Sequence, residues 1–215
     1  MLPENWRKDI AHEHDLYKLF SALPEFELLV PGAFYVEREG VLMSRAYVIK
    51  RGELVDYCEK IFPSFAVGEA ARVRSGRKLC LQSLDWIKVG VIICVDLAFP
   101  ELSRLYALRG ANLLLNPANI SADRVQLWRA LARARAFENH AYVGFANNVN
   151  GAYADGRPVS GGSAVADPNG DIIAEGDERE GIVLARLDLA SVAFARGRRR
   201  YLEQISSFNS SEILL

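Results

Sequence analysis

Apolar residues in this chain fall into short, nearly continuous runs, with stretches of helical spacing between some of them. Residues 88–94 form such a run, short enough to be a strand buried on both faces, and Cys94 stands at its end. Pro100 and Glu101 then open a helical pattern through Leu102, Leu105, Tyr106 and Arg109, closed by Gly110. Proline suits a first helical position, and an acid beside it complements the helix dipole. Residues 112–115 predict the next buried strand. Upstream, residues 9–22 have helical spacing, residues 27–35 read as a strand broken by Pro31-Gly32, and residues 42–50 and 53–60 read as a hairpin turning at Arg51-Gly52. Residues 61–76 read as a loop and 78–84 as a strand. Downstream, residues 121–140 predict the longest helix, with Trp128, Leu131, Ala132, Arg135 and Asn139 on one face. Residues 141–147 predict a buried strand, and 163–167 and 171–174 a hairpin about Pro168-Asn169-Gly170. A last strand is predicted over 181–187 and a final helix over 189–202. The mixture predicts one layered α/β domain over residues 1–215, without repeats or linkers.

Composition narrows the function classes. The 215 residues are 50% hydrophobic and 25% charged, with 26 basic and 27 acidic side chains. A net charge of −1 argues against a general nucleic-acid or membrane-surface binder. No apolar run approaches the roughly 20 residues of a membrane span, and the opening MLPENWRKD has no signal core. Cys58, Cys80 and Cys94 form neither a CxxC pair nor a zinc set, and their odd number fits reduced thiols in a cytoplasm. Nothing in the chain calls for a metal or an organic cofactor.

Cys94 is the centre of the candidate chemistry. A lone Cys in an apolar run is ordinarily just a small buried residue; its neighbourhood makes the difference. Gly90, Cys94-x-Asp96, Phe99-Pro100-Glu101, Arg104, Gly110-Ala111 and Pro117 stand in order, followed by Trp128, the run RARAFEN over 133–139, Asn147, Gly162-Ser163 and Asp167-Pro168-x-Gly170. In this the chain resembles the nitrilase superfamily of carbon–nitrogen hydrolases, from Glu4 to about Arg196. The resemblance implies a four-layer α-β-β-α sandwich, a homodimer or higher homo-oligomer, and a Glu-Lys-Cys site acting on a small-molecule amide. It makes Cys94 the nucleophile, Lys60 at a strand end the lysine, and Glu4 in Leu2-Pro3-Glu4 the catalytic acid. Glu69, before Gly76, matches a second, supporting Glu, and the Val95 backbone N–H joins Lys60 as an oxyanion donor. Fewer elements precede Glu4 than in the family pattern, so an N-terminally shortened member is expected. C-x-D fits amidase branches better than nitrile-cleaving ones. Carbamoyl-amino-acid or nitrile hydrolysis, and a catalytically silent homologue serving in binding or assembly, are the alternatives.

The remaining polar features have structural readings. Arg135 needs a carboxylate or carbonyl partner, with Glu138, Asp96 and Glu101 as choices. The RGRRR run over 196–200 reads as a solvated helix end. His12, His14 and His140 offer a Cys–His pair in principle, but no third orienting group stands out.

Overall fold

The computed structural model describes residues 10–22 and 24–208; Glu4 and the helical prediction at Asp9 lie outside them. Its frame is two stacked sheets. The first has four strands in the order β1 (Ile10–Ala11), β2 (Ala33–Arg38), β3 (Val41–Lys50) and β4 (Glu53–Glu59). The second has six, in the order β12 (Ile172–Glu175), β11 (Ala164–Ala166), β8 (Tyr142–Asn147), β7 (Leu113–Ala118), β6 (Lys88–Val91) and β5 (Leu81–Ser83). At its centre β6, β7 and β8 run parallel. They are joined by helices α2 (Pro100–Leu108) and α3 (Val125–Asn139).

Three cores fill the three spaces between four layers, and strand periodicity explains how one strand serves two of them. On β3, Met43, Tyr47 and Ile49 pack with Leu16 and Phe20 of α1 (Glu13–Ser21). Ala46 and Val48, on the opposite face, pack with Cys58, Cys80, Val91 and Ile93 between the sheets. Ile92 turns outward to join Tyr106, Leu114, Ala132, Ala136 and Phe145 beneath α2 and α3. This is the α-β-β-α sandwich that the sequence resemblance implies. Gly90 is required where α2 crosses β6, because a Cβ there would lie 2.6 Å from the Tyr106 ring.

Several expectations are corrected. Ile10 belongs to β1, parallel to β2, and the first helix starts at Glu13. Residues 27–35 are not one strand: Leu29 makes an isolated bridge to Ile49, Gly32 turns the chain at φ 136°, and β2 starts at Ala33. Residues 181–187 form no strand. The sheet ends at β12, no described strand lies beyond it, and Ile182 and Leu184 are 87% and 83% exposed. The final helix is two, α4 (Leu189–Arg199) and α5 (Tyr201–Ser206), broken at Arg200 with φ 57°. A short ribbon, β9 (Gly151–Ala152) and β10 (Pro158–Val159), flanks the expected Asp155-Gly156 turn. The RGRRR run is partly structural: Arg196 donates to the Ala111 carbonyl at 2.5 Å and Arg199 to that of Pro168 at 3.1 Å. These bonds, with Tyr142 and Ser191 at 2.9 Å, seat α4 against the end of the parallel sheet where β7 and β8 begin.

Candidate active site

The opposite, carboxyl end of the parallel strands opens into a cleft of about 740 Å³. Its lining includes residues just past the ends of β6, β7 and β8: Cys94, Asn119 and Asn148. A parallel sheet offers a crevice there because its strands end together and its helices start beyond them. The cleft also receives Lys60 and Glu69 from the four-stranded sheet and its loop. Three of the five residues singled out from sequence therefore line one space. Val95 follows Cys94 in the turn, and Glu4 is outside the described residues.

Cys94 sits in a turn that its own sequence would not favour. Its φ is +50°, a left-handed value uncommon for a non-glycine residue, at the start of a 3-10 turn spanning Cys94–Ala98. Such a conformation costs on the order of 1 kcal/mol and persists only where the surroundings impose it. Here they do. Asn116 Nδ2 donates to the carbonyls of Ile92 (2.7 Å) and Cys94 (3.1 Å), one on each side of Ile93. Arg135 donates from Nε to the Leu97 carbonyl and from Nη2 to the Ala98 carbonyl, both at 3.0 Å, and pairs with Glu138 at 3.1 Å. The structural role expected for Arg135 holds, with Glu138 as its acid and two turn carbonyls in place of Asp96 or Glu101. Beneath, the Tyr106 hydroxyl donates to the Val91 carbonyl at 2.8 Å. The 3-10 turn separates Cys94 from the start of α2 at Pro100, so the thiol opens that turn and not the helix.

Lys60 is held differently. It follows β4, and its backbone is fixed by bonds from its N–H to the Ser44 carbonyl (2.9 Å) and from the Gly76 N–H to its carbonyl (2.7 Å). Gly76 must be glycine at this approach: a Cβ would stand 2.5 Å from the Glu59 Cβ and 2.6 Å from the Lys60 carbonyl oxygen. Lys60 Nζ meets Glu69 Oε2 at 2.5 Å, with the two side chains 5% and 1% exposed. Glu69 also accepts from the Tyr35 hydroxyl (3.1 Å) and the Ser64 N–H (2.8 Å). It is a buried acceptor with three donors, not a solvated loop acid. Burial alone would push the Lys60 ammonium down; the nearby Cys94, Glu69 and Asp96 outweigh it and leave its pKa raised, so Lys60 stays charged.

Asp96 ties the two walls together. Buried at 1% exposure, it accepts from the N–H groups of Ile61 (2.9 Å) and Phe62 (2.8 Å), the two residues after Lys60. Phe62 stacks on Phe99 at 4.0 Å between ring centroids, from the segment entering α2. Burial pushes the Asp96 carboxyl up to about 6, against the two backbone N–H groups that favour its anion. The second position after Cys94 is thus the clasp between the Cys94 turn and the Lys60 strand end. Its C-x-D spacing was visible in sequence; its partners, some 35 residues earlier, were not. Asn116 and Tyr35 carried no local signal at all.

Neither His140 nor His12 supports the Cys–His possibility, and the side chain of His14 lies outside the described residues. His140 caps α3 at φ 49°, is fully buried, and lies tilted against the Tyr201 ring at 5.0 Å between centroids. It does not line the cleft, and burial, then the nearby arginines, pushes its imidazole down to about 4. His12 is exposed at the cap of α1.

Comparison with known proteins gives the family and the fold. Residues 10–197 match the family model for carbon-nitrogen hydrolases. The chain belongs to the carbon–nitrogen hydrolase family. It is 30% identical over 194 residues to a 2-oxoglutaramate amidase of Bacillus subtilis, a match covering 90% of this chain and 70% of that one. To an omega-amidase of Saccharomyces cerevisiae it is 37% identical over 124 residues, covering 56% of this chain and 41% of that one. A carbon-nitrogen hydrolase from Helicobacter pylori superposes over all of this chain and 81% of its own with a TM-score of 0.86, at 22% identity, which speaks for the nitrilase fold alone. Both named relatives in sequence are amidases of this family, and the chain spans less than their full length. No helix among the described residues is long and apolar enough to cross a membrane.

Proposed function

We propose that this chain hydrolyses the carbon–nitrogen bond of a small-molecule amide through a thioester on Cys94. One observation carries the reading: Cys94 in its imposed left-handed turn, and Lys60 paired to Glu69, line the same cleft. Amides resist water because nitrogen leaves poorly and water attacks weakly. Cys94 Sγ attacks the carbonyl carbon while its proton passes to a carboxylate. The charge developing on oxygen meets the Lys60 ammonium and the Val95 N–H, and losing one such donor typically costs about 10²–10³ in rate. The tetrahedral species collapses, the C–N bond breaks, and the amine leaves with the proton returned by the carboxylate. Water then loses a proton to that carboxylate, attacks the thioester, and frees the acid while Sγ regains its proton. Glu4 is the candidate for this carboxylate on sequence grounds. Glu69 acts through Lys60, keeping it charged and aimed.

The reading extends to a cytoplasmic homo-oligomer. Three free thiols support the compartment, and the exposed Phe194 and Ile205 on α4 and α5 support association. The test is ammonia release from a panel of linear amides by the full chain and by Cys94→Ala. Turnover by the parent that falls at least about 10³-fold in the variant is expected. Turnover that persists in Cys94→Ala overturns the reading.

A further inference from the structure

The wall of the cleft bears on which acyl group it accepts, an inference that rests on the hydrolytic reading above and narrows it. Among the described residues, the ionic side chains lining the cleft are Lys60 and Glu69, and each is committed to the other at 2.5 Å. The rest of the lining is apolar or neutral, as at Val30, Phe34, Val67 and Ala146, with Asn119 and Tyr153 among its polar members. Even these are engaged: the Tyr153 hydroxyl donates to the Asn119 carbonyl, and Asn148 Nδ2 donates to the Asn119 side chain at 3.2 Å.

The acids facing this space report how it treats negative charge. Burial, and then the charge at Cys94, pushes the Tyr153 phenol up to about 12. Burial, and then Glu69, pushes the Tyr35 phenol up further still. A carboxylate carried in on a substrate would meet the same burial and the same negative neighbours. Among the described residues, the one cation lining the cleft, Lys60, is already paired to Glu69, and the Arg157 guanidinium over the Tyr153 ring at 5.0 Å is already paired to Asp155; a buried charge without a partner is strongly disfavoured.

From this we infer that the acyl group accepted beside Cys94 is uncharged: the substrate is a small neutral aliphatic amide, not the monoamide of a dicarboxylic acid. This separates the chain from the Bacillus relative, whose named substrate, 2-oxoglutaramate, carries a carboxylate.

Matched pairs test it, because butyramide and succinamate, like pentanamide and glutaramate, differ by a methyl group against a carboxylate. Ammonia release gives kcat/KM for each. In parallel, 4-nitrophenyl butyrate and 4-nitrophenyl hemisuccinate are offered to the full chain and acylation of Cys94 is located by peptide mass spectrometry. The neutral member of each pair should be favoured by at least about tenfold at pH 7.5. Val67→Arg, which adds a cation to the wall, should narrow that ratio. Equal or better handling of succinamate, glutaramate and the hemisuccinate, with Cys94 acylated, overturns the inference and leaves the hydrolytic reading standing. Acylation of Cys94 by neither ester, with no ammonia from any amide, overturns the hydrolytic reading and this inference with it.

Discussion

Cys94 is held by backbone geometry, whereas Lys60, which lines the same cleft from the other sheet, is held by charge. On the Cys94 side, neutral and cationic donors from Asn116 and Arg135 grip carbonyl oxygens of the turn. The thiol itself makes none of these bonds, and its position follows from the path of the chain. On the Lys60 side the functional atom is part of the lattice: Nζ is bonded to Glu69, which is bonded in turn to Tyr35 and Ser64. The difference suits the two roles proposed for them. A nucleophile must be free to form and break a bond, so its support has to come from elsewhere. A charge that stabilises an oxyanion can be fixed in advance, and a dry, preorganised cation acts most strongly. Asp96 is where the two constructions meet.

Glu69→Gln would break the comparison most severely. The shape stays and the negative partner goes, leaving a buried ammonium uncompensated. Removing one member of a buried pair typically costs roughly 3–5 kcal/mol. Urea denaturation should show a loss of that order together with a collapse of amide turnover. A variant as stable as the parent would mean that Lys60 is held by packing and not by charge.

Asp96→Asn probes the clasp through pH. The folded-state carboxyl titrates near 6 against an ordinary 3.8. A raised carboxyl pKa gives stability that is fully present below about 4 and is lost as pH rises through about 6. The parent should therefore lose on the order of 2–3 kcal/mol relative to Asp96→Asn between pH 4 and pH 7, at 1.36 kcal/mol per unit. Denaturation midpoints of both proteins at the two pH values check it; a constant difference would place Asp96 in a solvated site.

The smallest effect is expected at His140→Phe, far from either wall. Both ring nitrogens are buried without a hydrogen-bond partner, so an apolar ring should be neutral or slightly stabilising at pH 7. Its pH dependence runs opposite to that of Asp96. A lowered imidazole pKa means stability is lost as pH falls from about 6.5 towards 4, and the Phe variant should escape that loss. Amide turnover should not change, since His140 does not line the cleft.

The same contrast explains what could be read from sequence. The Cys94 side is local, a strand, a turn and a proline-led helix within about 20 residues, so periodicity and turn chemistry expose it. Lys60 was legible as a strand end, but its fate depends on a loop folding Glu69 back nine residues later. Asn116 looked like one polar residue in a buried strand; only the parallel register of β7 beside β6 brings it under the turn. The failure at residues 181–187 has the opposite cause. A short, nearly continuous apolar run announced a strand, yet a strand exists only where a neighbour accepts its hydrogen bonds, and β12 has none beyond it among the described residues. The ribbon Gly151–Ala152 with Pro158–Val159 is two residues deep on each side, too short to carry a period.

The central claim is that Lys60 and Cys94 act as one site. The most direct test is the rate of iodoacetamide labelling at Cys94, located by peptide mass spectrometry, in the parent and in Lys60→Met. Cys58 and Cys80, at 1% and 2% exposure, serve as internal reporters of an intact core. The account predicts labelling of Cys94 at neutral pH that slows by about tenfold in the variant while Cys58 and Cys80 stay protected, because a neighbouring cation favours the reactive thiolate. An unchanged rate at Cys94 with the core still protected would contradict it.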